Sequence, residues 1–142
     1  MAAFNKFNAL VQTFANGTID LATDTLKVML TNTAPVATNS LYGDISSNEL
    51  ANGNGYTTGG VSVTGQSSSQ SGGILTLSGS LPSPTWTASG SVGPFRYVVM
   101  YDATATTPLK PLIGWWDYGS SITLTSGQTF TVSISSGILT IQ

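Results

Sequence analysis

The stretch ITLTSGQTFTVSI, residues 122–134, alternates apolar side chains with threonine or serine on both sides of the dipeptide Ser126-Gly127. Alternation of this kind gives a strand one buried and one polar face, and Ser-Gly is typical of a turn. The stretch therefore predicts a hairpin with one buried and one hydroxyl-bearing face. A second turn at 135–137 is predicted to return the chain through a last strand at 138–141.

Similar strand patterns extend outward from this hairpin, back to residue 25. In the first of them, Leu26, Val28 and Leu30 fall on one side of the strand and Lys27, Met29 and Thr31 on the other. About eight strands are predicted, at 26–31, 61–64, 74–77, 95–101, 112–116, 122–125, 129–134 and 138–141. Short strands separated by glycine turns are typical of a sandwich. The predicted fold class is all-β, a β-sandwich or jelly-roll with a short N-terminal amphipathic helix.

The helix is predicted over residues 3–15, because apolar residues recur there at spacings of three and four before Asn16-Gly17 ends the pattern. They are Phe4, Phe7, Leu10, Val11 and Phe14. Their stripe either covers the chain's own core or docks on a neighbouring subunit. The predicted organisation is an N-terminal helix or arm at 1–16 and a single β-sandwich domain at 17–142.

A long excursion interrupts this domain at residues 32–60, which are rich in Asn, Gly, Ser and Thr. Since the segment exceeds the usual length of a connection and loops commonly carry contacts, we expect it to contribute to binding, with Tyr42 and Tyr56 as candidate contact residues. The low-complexity stretch TGQSSSQSGG at 64–73 predicts a flexible hairpin tip.

Composition bears on function. The chain has 142 residues, of which 7% are charged, with a net charge of -2. An ordinary domain carries roughly 25% charged residues. Low charge promotes association, so this composition favours a protein whose surface is largely covered by neighbours.

The amino-acid composition also argues against an enzyme and against a metal site. Histidine and cysteine are both absent, which removes the commonest general base, thiolate nucleophiles and the usual zinc ligands. Asp102 and Asp117 could form the carboxylate pair of a glycosidase, but the sequence gives no sign of a substrate cleft. We predict a non-enzymatic protein with no catalytic, cofactor-binding or metal-binding residues.

Nucleic acid and membrane are also not expected as partners. The four cations Lys6, Lys27, Arg96 and Lys110 are scattered and cannot neutralise a run of phosphates. The sequence shows neither a signal-peptide profile nor an apolar segment near the roughly 20 residues of a membrane span. Synthesis in a cytoplasm is the expectation.

Arg96 stands inside the segment PFRYVVMYD at 94–102. As a strand, this segment would place Phe95, Tyr97, Val99 and Tyr101 on one face and Arg96, Val98, Met100 and Asp102 on the other. Both faces are largely apolar, which predicts a strand covered on both sides. Asp102 or Asp117 is the expected partner of Arg96. The arginine is either partly exposed, with its stem over apolar surface, or part of an intersubunit bridge.

Trp115 and Trp116 are adjacent in IGWWDYG, residues 113–119. In a strand their indoles point to opposite faces, so only one can enter the domain's own core. The other requires a cover. A protein interface, packing at the edge of the core and stacking on a sugar ring all remain open.

Several stretches together resemble small structural proteins of tailed bacteriophages: MAAFNKFNALVQ at the start, DTLKVMLTNTAPVATN at 24–39, ELANGNGYTTGG at 49–60, SVGPFRYVVMYD at 91–102 and PLIGWWDYGSSITLTSGQTF at 111–130. The resemblance implies a decoration or cement protein on the capsid surface of a virion, made in the bacterial host cytoplasm. It implies the major capsid protein as partner and a homo-oligomer, trimer or dimer. It carries over no individual functional residue.

The predicted function is therefore that of a capsid decoration or cement protein, which stabilises the head. The alternatives are a tail or tail-fibre structural subunit and a carbohydrate-binding module that uses Trp115 or Trp116. The candidate interface residues are Phe4, Phe7, Leu10, Val11, Phe14, Tyr42, Tyr56, Arg96, Trp115 and Trp116.

Overall fold

The computed structural model describes residues 2–78, 84–133 and 139–141. The described chain is predominantly β, with three antiparallel sheets, and the all-β prediction is confirmed. Its strands and α-helix are β1 (Phe4–Lys6), α1 (Leu10–Ala15), β2 (Leu26–Thr31), β3 (Val61–Ser62), β4 (Ser67–Ser71), β5 (Ile74–Ser78), β6 (Thr85–Thr87), β7 (Val92–Asp102), β8 (Leu112–Leu124), β9 (Thr129–Thr131) and β10 (Leu139–Ile141). Two short 3-10 helices, Tyr42–Asp44 and Ser46–Asn48, lie in the excursion.

The largest sheet has the order β1-β8-β7-β2-β3. Its centre is built from the two longest strands, β7 with 11 residues and β8 with 13. In the antiparallel register Leu26 lies opposite Asp102, and Val98 lies opposite Trp116. The two smaller sheets have the orders β10-β5-β4 and β6-β9.

One face of the large sheet packs against residues of the smaller sheets. Val28 and Val98 of the large sheet share a core cluster with Leu77 of β5 and Trp86 of β6. Such packing of sheets around a common apolar core gives a sandwich-like arrangement.

A second cluster covers the opposite face. It joins Met29, Val99 and Tyr101 of the sheet to Phe7 of the N-terminal segment and Ile45 of the excursion. The prediction that the strand around Arg96 is covered on both sides is therefore confirmed. Phe95 is the exception to the predicted faces: register shifts on both sides of it break the alternation, and it joins Val98 instead of Val99.

The predicted helix over 3–15 is wrong in its first half. Residues 4–6 form β1, which pairs with β8 at the edge of the large sheet, and helix α1 spans six residues. Phe7 and Leu10 have no exposed surface. The N-terminal segment is thus part of the domain, because its strand hydrogen bonds and apolar side chains complete the sheet and the core, and a separate arm at 1–16 is not observed.

Strand pairing differs from the predicted hairpin. The turn at Ser126-Gly127 is present, and Leu124 and Val132 are buried as the alternation predicts. However, β9 pairs with β6, while the end of β8 pairs with β7. The predicted strands at 112–116 and 122–125 merge into β8.

Within the described residues there are ten strands, because sequence patterns did not reveal β1, β4 and β6. Residues 67–71, predicted as part of a flexible tip, form β4 and pair with β5 without a register shift. The predicted C-terminal strand is confirmed over Leu139–Ile141, which pairs with β5. Residues 134–138 of the predicted last strands and turn lie outside the described residues.

Candidate functional site

Arg96 binds Asp117 of the neighbouring strand within the same chain. Arg96 Nε donates to Asp117 Oδ1 at 2.7 Å, and its Nη2 donates to Oδ2 at 2.9 Å. The Arg96 hydrogen bonds lower the pKa of Asp117, as does a bond from the backbone N–H of Gly119. Both side chains are more than one third exposed. Of the two predicted partners, Asp102 and Asp117, the structure shows Asp117, so the guanidinium has a carboxylate partner within its own chain.

The two tryptophans lie on opposite faces of β8, as predicted, and each is covered by a phenylalanine of the N-terminal segment. The rings of Phe4 and Trp116 form an edge contact with centroids 4.9 Å apart. Phe7 and Trp115 lie 4.6 Å apart. Trp116 is 5% exposed and Trp115 is half-buried. The missing cover is therefore supplied by the chain itself, and Trp116 has little surface left for a sugar ring.

A depression of about 270 Å³ lies beside Trp116 and is lined by Ala2, Tyr118, Thr131 and Ser133. Tyr118 is half-buried and packs edge-on against Phe130. Its ring is therefore also committed to the core, and the depression offers no fully open aromatic face.

The side chain of Glu49 links distant parts of the excursion at 32–60. Its Oε1 accepts hydrogen bonds from the Tyr56 hydroxyl at 2.6 Å and from the Gly59 backbone N–H at 2.7 Å. Its Oε2 accepts a short hydrogen bond from the Tyr42 hydroxyl. One carboxylate thus draws three points of the excursion together.

Two strands of the sheet hold this network in place. The Tyr56 hydroxyl accepts a hydrogen bond from the Leu30 backbone N–H at 3.1 Å, and the Tyr101 hydroxyl donates to the Gly59 carbonyl at 2.7 Å. Burial and the Glu49 hydrogen bond raise the pKa of Tyr42 and of Tyr56. Burial, together with the charge of Glu49, raises the pKa of Tyr101 to about 12. These tyrosines stay protonated at neutral pH and act as donors. Sequence reasoning gave Glu49 no role, because no local pattern reveals partners seven to ten residues away.

The candidate interface residues are not brought together on one surface. Phe7, Leu10, Tyr56 and Trp116 are buried in the chain's own core, which corrects the expectation that they contact another protein. The remaining residues are half-buried, apart from the exposed Val11: they are Phe4, Phe14, Tyr42, Arg96 and Trp115. The three buried aromatic residues lie in the core for the same physical reason: a small domain needs its aromatic side chains to fill the core.

The charged residues are unevenly distributed along the chain. All ten charged side chains lie within residues 1–49 and 96–117. We call residues 50–95 and 118–142 the uncharged half. Among the described residues it holds both smaller sheets, together with β3 and the ends of β7 and β8 that meet at Val92 and Leu124. The sequence shows this distribution, but only the fold shows that the two uncharged stretches lie together.

In the described part of the uncharged half, the β4–β5 hairpin contains the longest run of exposed residues, 67–74. Every residue of β4 is exposed, as are the two turn glycines, Gly72 and Gly73. Ile74, the first residue of β5, is 37% exposed. Further along β5, Leu77 is fully buried and fixes the hairpin to the core. The hairpin therefore projects a polar, uncharged ribbon from an anchored base.

The described residues also bear on metal binding and on membrane insertion. Within residues 2–78, 84–133 and 139–141, no three acidic side chains gather as a metal site would require. No helix in the described part of the chain is long and apolar enough to cross a membrane. Comparisons with protein-family models, with curated proteins and with solved structures find no match to this chain.

Proposed function

We propose that the protein is a non-enzymatic structural component of a bacteriophage virion, a decoration or cement protein that binds the major capsid protein on the outer surface of the head and stabilises it. The observation that carries this proposal is the uncharged half. A solvated surface without charge is prone to associate, and repeated contacts on a symmetric lattice convert weak individual contacts into firm binding.

The position of the resembling sequence stretches is consistent with this role. They fall on β1, α1, β2, the excursion, β7, β8 and the first residues of β9, which build the large sheet and its covers. In the proposal, the large sheet and its covers are the scaffold, and the two smaller sheets, which belong to the uncharged half, make the contacts. A jelly-roll connection of the strands, with self-association as a trimer or dimer, belongs to the proposal as well.

The test is cryo-electron microscopy of virions whose genome encodes this chain, with mass spectrometry of the purified particles. We expect density for the chain on the shell at the junctions between capsomers, with the smaller sheets facing the capsid protein. Density confined to the tail would replace the proposal with a tail or fibre subunit. Absence from the particle would overturn both.

Binding to isolated capsids provides a second test with a matched pair of variants. Ser89→Glu places a charge at an exposed position of the uncharged half, and Ser47→Glu places the same charge in the charged excursion. We expect Ser89→Glu to weaken capsid binding more than Ser47→Glu. Equal binding by the two variants would contradict the assignment of the contacts.

A further inference from the structure

The outer edge of β4 is an open strand edge without the usual protection against pairing with another strand. Among the described residues, β4 pairs with β5 alone and stands last in its sheet. An open edge presents unpaired backbone N–H and C=O groups, and proteins commonly protect such edges with very short strands, charged side chains, proline or bulges. β4 has five residues, no charge, no proline and an unbroken register with β5.

Edge strands elsewhere in the described chain carry this protection. β3, at one edge of the large sheet, has two residues, and β10, opposite β4 in its own sheet, has three. β1, at the other edge of the large sheet, has three residues and ends in Lys6. β6 and β9, the two strands of the smallest sheet, have three residues each. Of the described edge strands, β4 is therefore the one at which strand addition meets least resistance.

The hairpin turn determines which groups of β4 point outward. Ser71 and Ile74 flank the two-residue turn Gly72-Gly73, and both glycines have positive φ angles, 59° and 83°. Residues that flank a two-residue turn form a hydrogen-bonded pair, and hydrogen-bonded positions alternate along an antiparallel ladder. Ser67, Ser69 and Ser71 thus bond to β5. The backbone groups of Ser68 and Gln70 face away from the sheet.

We propose that two copies of the chain pair β4 with β4 in antiparallel orientation across a two-fold axis at Ser69. In this register Ser68 lies opposite Gln70 of the second copy, and the reciprocal pair closes the ladder with four backbone hydrogen bonds. Ser69 faces Ser69 of the second copy across a close, non-hydrogen-bonded position, where a small side chain fits. The two three-stranded sheets become one sheet of six strands.

The second copy is the occupant that the charge pattern favours. The sequence SSSQS is uncharged and nearly symmetric about its centre, so two copies meet without like-charge repulsion. Both faces of β4 are exposed, which leaves room for the approach of another hairpin. An isologous contact of this kind closes as a dimer and cannot build a three-fold ring.

This inference rests on the self-association included in the proposed function, and it names the surface. The test is sedimentation equilibrium of the purified full chain as wild type, Ser69→Glu and Ser69→Lys. We expect a reversible dimer for the wild type. Each charged variant alone should dissociate several-fold more readily, because like charges face each other at the axis. An equimolar mixture of the two variants should recover wild-type association as a heterodimer.

Ser120→Glu is the matched control, since it adds the same charge at an exposed serine of a strand in the large sheet. It should dimerise like the wild type. Circular dichroism of each variant separates loss of pairing from loss of folding, and Gln70→Pro, which removes an outward N–H donor, should also favour the monomer. A monomeric or trimeric wild type, unchanged association of Ser69→Glu, or a mixture that fails to recover would overturn the inference. A dimer missing from virions would overturn the proposed function alone, whereas a monomer bound to capsids would overturn the inference alone.

Discussion

Phe7 covers Trp115 from within the same chain, with the two ring centroids 4.6 Å apart. Phe7 is completely buried, and its backbone N–H donates to the Ile113 carbonyl at 3.2 Å. The sequence left open whether the second tryptophan of β8 is covered by a partner or by the domain. The contact with Phe7 makes the N-terminal segment a structural part of the domain.

We therefore expect Phe7→Ala to lower the free energy of unfolding by about 3–5 kcal/mol, as for other buried phenylalanines. Deletion of residues 1–15 should prevent stable folding instead of leaving an intact β-domain. Val11→Ala is the control, because Val11 is 49% exposed and should change stability by less than about 0.5 kcal/mol. Urea unfolding followed by tryptophan fluorescence provides the measurement. A truncated chain with wild-type stability would restore the separate arm.

The close approach of β1 to β8 predicts a second effect. A Cβ at Gly114 would lie 2.5 Å from the Asn5 carbonyl oxygen and 2.2 Å from the Phe4 ring. Gly114→Ala must displace β1, and we expect a loss of about 1–3 kcal/mol, typical of overpacking. Gly43→Ala is matched, because a Cβ there meets nothing within 4 Å. Equal thermal stability of the two variants would contradict this account of the β1–β8 contact.

The hydrogen bonds of Glu49 predict coupling across the excursion. Glu49→Gln keeps the shape of the side chain but replaces one acceptor oxygen with a donor, so we expect a loss of about 1–3 kcal/mol. Hydrogen exchange should show the largest change at the Gly59 amide. In a double-mutant cycle, Tyr56→Phe should cost less in the Glu49→Gln background than in the wild type. Additive effects of the two substitutions would show that Glu49 and Tyr56 act independently.

Local sequence patterns predicted which side chains of a strand lie on the same face. The alternation in β2 placed Val28 and Met29 on opposite faces, and both are buried because the sheet is covered twice. Spacing within β8 likewise placed Trp115 and Trp116 correctly.

Pairing between distant segments could not be predicted in the same way. The spacing of Phe4, Phe7 and Leu10 fits a helix, yet pairing with β8 makes residues 4–6 a strand. β4 has no apolar face to reveal it, and its strand depends on hydrogen bonds to β5. Four of the candidate interface residues, Phe7, Leu10, Tyr56 and Trp116, lie in the core for a related reason. Aromatic residues mark either a core or a contact surface, and the sequence alone does not distinguish the two.

Asp102 gives the last prediction, which concerns pH. Its carboxyl group is fully buried, and Oδ1 accepts hydrogen bonds from the backbone N–H groups of Thr104 and Ala105. Oδ2 receives no hydrogen bond from a donor among the described residues, and the carboxyl of Asp24 lies beside it. Burial, with the neighbouring Asp24 charge, raises the pKa of Asp102 above its ordinary value of 3.8.

A raised pKa in the folded state means that folding favours the protonated form. The stabilisation is fully present below the unfolded value and is lost as the pH rises through the folded value. Asp102→Asn removes the charge, keeps the acceptor oxygen and offers an N–H to Asp24. We expect this variant to be more stable than the wild type at pH 7 by on the order of 1 kcal/mol. The difference should shrink on acidification, as Asp102 of the wild type becomes protonated.

Asp117→Asn provides a control of opposite sign. Arg96 lowers the pKa of Asp117, so its contribution is present above the unfolded value and is lost as the pH falls. This variant should be less stable than the wild type at neutral pH, and the deficit should close in acid. Thermal unfolding of the three proteins across a pH series measures both differences. If Asp102→Asn were less stable than the wild type at neutral pH, the buried carboxylate would instead be a favourable charge with a partner of its own.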